Sequence, residues 1–213
     1  MSSFSDIFAV NSEIEPAAEP EIVQHEWFGP PEDELGACVP TAVAVGRSDR
    51  AVVALRSATA YSTGVMLDLV AVARGLRESE ANRVFHEQHA VDVGEEPSDF
   101  FLRVGIEYQD GARVSNLGGR RRLWGADQAP DGPILLPQGG GGGHAGGGRV
   151  TMSSGFWLWP LPPRTPWDIV VEWPAFDLML SRATLDGEAL VDAAARSLPL
   201  WDVAPGGGDP TRA

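Results

Sequence analysis

His86-Glu87-Gln88-His89 is the segment whose residue types come nearest to metal chemistry. Two imidazoles flanking a carboxylate serve zinc-dependent hydrolysis when the histidines stand at i and i+4 on one helix face. Here the spacing is i, i+3, and Asp92, Glu95 and Glu96 are the nearby carboxylates that would have to complete a ligand set. The missed register makes an exposed polar helix or loop the simpler reading. Arg120-Arg121-Arg122 with Trp124 has the chemistry to grip a phosphate or carboxylate, or to stack on a planar ligand. It follows Gly118-Gly119 in an expected loop, where solvated charge or pairing with acidic residues accounts for it more simply.

Nucleophilic chemistry finds less support. There is no Gly-x-Ser-x-Gly, and Ser153-Ser154-Gly155 precedes an expected strand rather than a helix. Cys38 adjoins an apolar strand and reads as a small core residue rather than a thiolate. The glycine-rich run at 139–148 lacks the Lys-Ser/Thr of a phosphate-cradling loop, which leaves His144 incidental. All 16 basic residues are arginine, so no side-chain lysine exists for Schiff-base chemistry. No catalytic, cofactor-binding or metal-binding residue is assigned, and the balance leans against an enzyme without deciding it.

Size and charge bound the remaining possibilities. A chain of 213 residues with 43% hydrophobic content suits one domain with tails. The net charge of −14 is concentrated early: residues 1–37 hold Asp6, Glu13, Glu15, Glu19, Glu21, Glu26, Glu32, Asp33 and Glu34 and no arginine. Such a chain repels phosphate backbones, which argues against nucleic acid as partner. One cysteine permits no internal disulfide, and neither a secretory signal nor a long apolar span is present, so a cytoplasmic location with no membrane partner is expected.

Residues 1–29 read as an acidic, disordered arm in which Phe4, Ile7 and Phe8 share helical spacing. Residues 30–201 form the expected domain, and 202–213 a Gly/Pro-rich, disordered tail. Within the domain, 41–45, 51–59 and 65–74 are short apolar strands, and one or two helical turns are expected at 81–89. Residues 100–108 alternate as a half-buried strand, returning through Asp110-Gly111 into 112–116 as a hairpin. A strand at 134–136 precedes the glycine-rich run, read as a mobile loop between strands. A late helix begins at Asp186 as N-cap, with Leu190, Val191, Ala194, Ala195 and Leu198 as its apolar stripe.

Four of seven tryptophans fall between Trp157 and Trp173. Parity places Trp167, Ile169, Val171 and Trp173 on one face of a strand and Asp168 and Glu172 on the other. A hairpin through 162–166 pairing Trp159 with Ile169 and Trp157 with Val171 would put all six bulky residues on one face; the prolines allow instead a crossing between two sheets. Pro160-Leu161-Pro162-Pro163-Arg164 is a structural turn, not an SH3 ligand.

The stretches FWLWPLPP…PWDIVVEWP, PPEDELGACVPTAVAVGRSDRAVVALRSATAYSTG and LRVGIEYQDGARVSN resemble a family of uncharacterised actinobacterial proteins, across most of 30–201. The resemblance implies one compact β domain and brings no activity, cofactor or catalytic residue. The expected fold is a mainly β, immunoglobulin-like sandwich of seven to nine strands with a C-terminal helix. The expected function is a non-enzymatic intracellular binding or protein-interaction module with a protein partner. The alternative is a small-molecule or sugar-binding protein, or an enzyme acting on such a ligand, with a cleft lined by Trp157, Trp159 or Trp173.

Overall fold

Alternation of apolar and polar side chains makes most of the described chain strand. The structure, a computed structural model, describes residues 25–88, 96–118, 128–138 and 142–201. Residues 1–24 of the arm expected at 1–29, with Phe4, Ile7 and Phe8, the tail at 202–213, His89, Asp92, Glu95, Arg120, Arg121, Arg122 and Trp124 lie outside the described residues, whereas 25–29 belong to the described fold, with Trp27 buried.

Strands β1 (Glu34–Leu35), β2 (Ala37–Arg47), β3 (Ala51–Ala60) and β4 (Val65–Arg74) lead into helix α1 (Glu78–Glu87). Then come β5 (Arg103–Glu107), β6 (Arg113–Ser115), β7 (Ile134–Gln138), β8 (Gly143–Gly146), β9 (Arg149–Trp159), β10 (Trp167–Trp173) and β11 (Leu178–Leu185). Helix α2 (Gly187–Ala194) and β12 (Leu198–Pro199) complete the described elements. The fold is mainly β, and every strand pairing is antiparallel. A six-stranded sheet runs β2-β3-β4-β9-β7, with β8 also on β9; a four-stranded sheet runs β11-β10-β5-β6; β1 and β12 form a two-stranded ribbon.

Both larger sheets contribute one face to a common core. From the six-stranded sheet come Leu55, Leu67, Leu69, Phe156 and Leu158; from the four-stranded sheet, Val104, Ile106, Ile169, Val171 and Leu178. The parity expected for β10 holds: Trp167, Ile169, Val171 and Trp173 are all buried. Asp168 and Glu172 take the wet side. Glu172 pairs with Arg103 at 2.7 Å, and Asp168 accepts from the Thr184 hydroxyl at 2.6 Å.

The tryptophan hairpin does not form. β9 pairs with β4 and β7, while β10 pairs with β5 and β11, so the link at 160–166 crosses between sheets. Proline cannot donate to a ladder, which suits this segment to a crossing and not to a paired turn. The crossing also inverts the parity. Phe156 and Leu158 face the core, and Trp157 and Trp159 face the opposite, outer side. Gly187, at the start of α2, lets the helix press against the link: a Cβ there would stand 2.3 Å from the Pro163 and Thr165 carbonyl oxygens.

Other expectations are corrected in detail. Gly143–Gly146, part of the glycine-rich run, is strand β8, and Gly147 and Gly148 turn it into β9 with φ of 59° and 71°. Residues 139–141 lie outside the described residues. Helix α1 is longer than one or two turns and places Ala81 and Val84 in the core. Cys38 is exposed, because Ala37 and Val39 hold the inward parity of β2. The late helix starts as expected, with the Asp186 carboxylate accepting from the Ala189 N–H at 3.2 Å, but it ends at Ala194. Ala195 is exposed and Leu198 belongs to β12.

Strand β5 begins at Arg103 and not near Phe100, because side chains have claimed the preceding backbone. Gln88 donates to the Phe100 carbonyl at 3.0 Å and accepts from the Leu102 N–H at 3.3 Å. The indole N–H of Trp173 also donates to Phe100, at 2.9 Å. Buried Asn116 donates to the Leu102 carbonyl and accepts from the Val104 N–H, both at 3.0 Å. The Asp110-Gly111 hairpin is as expected, with Gly111 at φ 85°.

Trp173→Ala removes both a fully buried indole and a hydrogen bond, and should lower stability by about 3–5 kcal/mol. Trp201→Ala, at a 71% exposed position, should change it by less than about 0.5 kcal/mol. Denaturant titration of the two variants checks the contrast; equal effects would contradict the assigned core.

Candidate functional site

Among the described residues, those singled out for chemistry do not converge. His86 is exposed near the end of α1, and Glu87 is held below the usual carboxylate range chiefly by a hydrogen bond from Arg83. Gln88, inside the same motif, is engaged with the backbone at 100–102. No group of three or more His, Cys, Asp or Glu among the described residues is arranged to hold a metal ion. Ser153 and Ser154 lie within β9 and border a cavity of about 120 Å³ that Phe85, Gln88 and Gln138 also line. His144 is exposed in β8. Trp157, Trp167 and Trp173 are buried, and Trp159 is half-buried.

The outward-facing tryptophans are covered from the N-terminal side. The Trp157 indole donates to the Glu26 carbonyl at 3.0 Å, and Trp27 meets Trp159 edge-on at 6.1 Å between centroids. His25 stacks on Trp27 at 4.2 Å, and Gln138 donates to the Phe28 carbonyl. Tyr61 meets Trp157 edge-on at 5.7 Å. Two glycines make room: a Cβ on Gly64 would lie 2.6 Å from the Trp157 ring, and one on Gly36 would lie 2.7 Å from Tyr61. This end of the six-stranded sheet is therefore closed by aromatic packing.

Beside it stands the ribbon of β1 and β12. Leu35 and Leu198 are direct cross-strand partners, so they share a face, and Leu200 follows two residues on with its N–H bonded to the Asp33 carbonyl at 2.7 Å. Leu35, Leu198 and Trp201 are 58%, 60% and 71% exposed, and Leu200 is exposed as well. Large apolar side chains gathered on one exposed element mark an interaction surface more often than a structural need. Met179 and Leu180, also exposed, differ in origin: they form the irregularity of β11 between the Val171–Ser181 and Trp173–Leu178 pairings.

One carboxylate anchors the ribbon. Glu34 accepts from the Ser62 N–H at 2.6 Å and from the Ser62 hydroxyl at 2.5 Å. Burial would raise its pKa, but hydrogen bonds from the Ser197 and Ser62 side chains and the Ser62 backbone outweigh it and hold the carboxyl below its usual range. Burial, followed by the Glu34 charge, pushes the neighbouring Tyr61 phenol up.

Sequence reasoning overlooked the ribbon. Leu198 was assigned to the helix stripe, yet Pro199 directly after it was a signal that the helix had ended. The exposure of Leu35 had no local signal, because two-residue strands carry no periodicity.

Comparison with protein-family models, curated proteins and solved structures found no match.

A carboxyl stronger in the folded state contributes stability above its unfolded pKa of about 4.3 and loses it as pH falls through the lower folded value. Ribbon protection should accordingly weaken below about pH 4. Glu34→Gln should cost about 1 kcal/mol of local protection at neutral pH and remove that acid dependence. Hydrogen-exchange protection factors at the Ser62 and Leu200 amides measure both, and wild-type protection in the variant would rule the anchor out.

Proposed function

We propose that the protein is a non-enzymatic binding module that docks an apolar segment of a partner protein on the β1–β12 ribbon. The observation that carries this reading is the shared face of Leu35, Leu198 and Leu200 beside Trp201, exposed on an element that a carboxylate clamp holds to the fold. Tryptophan supplies large contact area at low entropic cost and is enriched among binding hot spots, and the leucines beside it add apolar area that a partner would bury. An apolar partner segment is the occupant whose chemistry fits.

The intracellular setting belongs to the same proposal, supported by a single cysteine that can form no internal disulfide. Among the described residues no helix is long and apolar enough to cross a membrane. Within this reading the scaffold is an immunoglobulin-like sandwich, supported by two antiparallel layers and the crossing at 160–166. The uninterrupted β2-β3-β4 run has no counterpart in the seven-strand form of that fold.

A photo-crosslinking amino acid replacing Trp201, in the organism that makes the protein, should yield one discrete adduct with another protein. Leu35→Asp with Leu198→Asp should abolish the adduct, and the same probe at Met179 should not give it. An adduct only with a second copy of the chain, an equal product from position 179, or none at all would overturn the proposal.

A further inference from the structure

The opposite end of the six-stranded sheet has a different chemistry. The turn between β2 and β3 and the ends of β4 and β9 enclose an open groove of about 340 Å³. Arg47, Arg50, Arg74 and Arg149 line it, with Asp49 as the one carboxylate in its wall. In a chain of net charge −14, four guanidinium groups around one groove are a strong local reversal of sign.

Arg74 and Arg149 are direct cross-strand partners at the end of the β4–β9 ladder. Like charges placed directly opposite each other on a sheet repel. Among the described residues no carboxylate comes within 4.0 Å of Arg47, Arg74 or Arg149, whereas eight ion pairs are made elsewhere. By parity Arg47, Val52, Val72 and Thr151 form one row across the outer face, with the Arg74–Arg149 pair in the next row. Strands lie about 4.8 Å apart, so β2 and β4 are separated by about 10 Å, a gap that the Arg47 and Arg74 side chains can bridge only together, over the floor made by Val52 and Val72.

The frame around these groups is rigid. The Arg74 Nε–H donates to the Asp49 carbonyl at 2.8 Å, which leaves both Nη groups without a hydrogen-bond partner among the described residues. The Ser48 hydroxyl accepts from the Ala51 N–H at 2.9 Å and donates to the Phe176 carbonyl at 2.6 Å, tying the turn to the other sheet. Arg50 is already engaged. It donates to the Ala175 carbonyl at 3.2 Å and lies over the Phe176 ring at 5.2 Å.

We infer that Arg74, Arg149 and Arg47 form a binding site for a dianionic phosphate group, with the organic part of the ligand resting on Val52 and Val72. Guanidinium forks bind phosphate oxygens through paired, charge-assisted hydrogen bonds. A dianion also relieves the repulsion between the two facing arginines, which a monoanion does only in part. The net charge of the chain disfavours a long nucleic-acid backbone and leaves a discrete phosphate as the ligand. This site shares no residue with the apolar ribbon and does not depend on it.

The test is titration of the full chain at constant ionic strength, observed at the Arg50, Arg74 and Arg149 amide and Nε–H resonances. The probes are inorganic phosphate, phenyl phosphate, a phosphoserine peptide and, as control, chloride. Phosphate should give saturable shifts and chloride none, and Arg74→Gln or Arg149→Gln should each weaken binding by roughly tenfold or more. Arg149→Gln should also raise the melting temperature in phosphate-free buffer, while phosphate should raise that of the wild type more than that of the variant. Tighter binding of phenyl phosphate than of the peptide supports the site with a small metabolite as source; the reverse order supports it with a protein-borne phosphate. Shifts that fail to saturate, or that persist with unchanged affinity when Arg74→Gln and Arg149→Gln are combined, would overturn the site.

Discussion

One core has to be filled from two sheets by a single chain, and the crossing at 160–166 decides how. A strand offers its bulky side chains to one face only, and a strand entering the opposite sheet must offer them in the opposite direction. The tryptophan run meets this constraint by changing sheets at its prolines. Before the link, Phe156 and Leu158 are the core residues and the indoles turn outward; after it, Trp167 and Trp173 turn inward. Everything outside the core follows. The outward indoles need cover, so the segment at 25–28 packs over them with an indole N–H bonded to its backbone.

The parts of this fold visible in the sequence were those governed by local periodicity. Alternation in β10 assigned Trp167, Ile169, Val171 and Trp173 to the core, and Asp110-Gly111 located the β5–β6 turn. What periodicity could not specify was partner choice. Nothing local tells β9 that its neighbours are β4 and β7, so an adjacent hairpin was the natural and mistaken reading of two tryptophan strands. The glycine-rich run was misread for a related reason: β8 is held by its ladder to β9, a tertiary bond pattern that outweighs the entropic cost of ordering glycine. Gln88 and Asn116 show the same limit in polar form. Each amide brackets backbone at 100–104, and neither residue announces that role in sequence.

The candidate surfaces were the least legible of all. The segments richest in reactive side chains, around His86 and Arg120, either serve local contacts or lie outside the described residues. The ribbon and the arginine groove each arise where residues distant in sequence become neighbours: Leu35 with Leu198, and Arg74 with Arg149. The two surfaces occupy opposite ends of the six-stranded sheet and differ in character, one apolar and one cationic. A rigid β scaffold suits this division, because its long strands fix the ends without coupling their side chains.

The β1–β12 ribbon has a consequence of a mechanical kind. It joins residues 34–35 to residues 198–199, so the first and last strands of the described fold lie against each other. Tension applied between residues 33 and 200, on either side of the ribbon, therefore falls on a ladder only two residues long, loaded so as to unzip rather than shear. The ribbon acts as a mechanical fuse: it parts while the long ladders of β2, β3, β4 and β9 remain unstressed. Any event that pulls residues 33 and 200 apart would disassemble the apolar face before it disturbed the core.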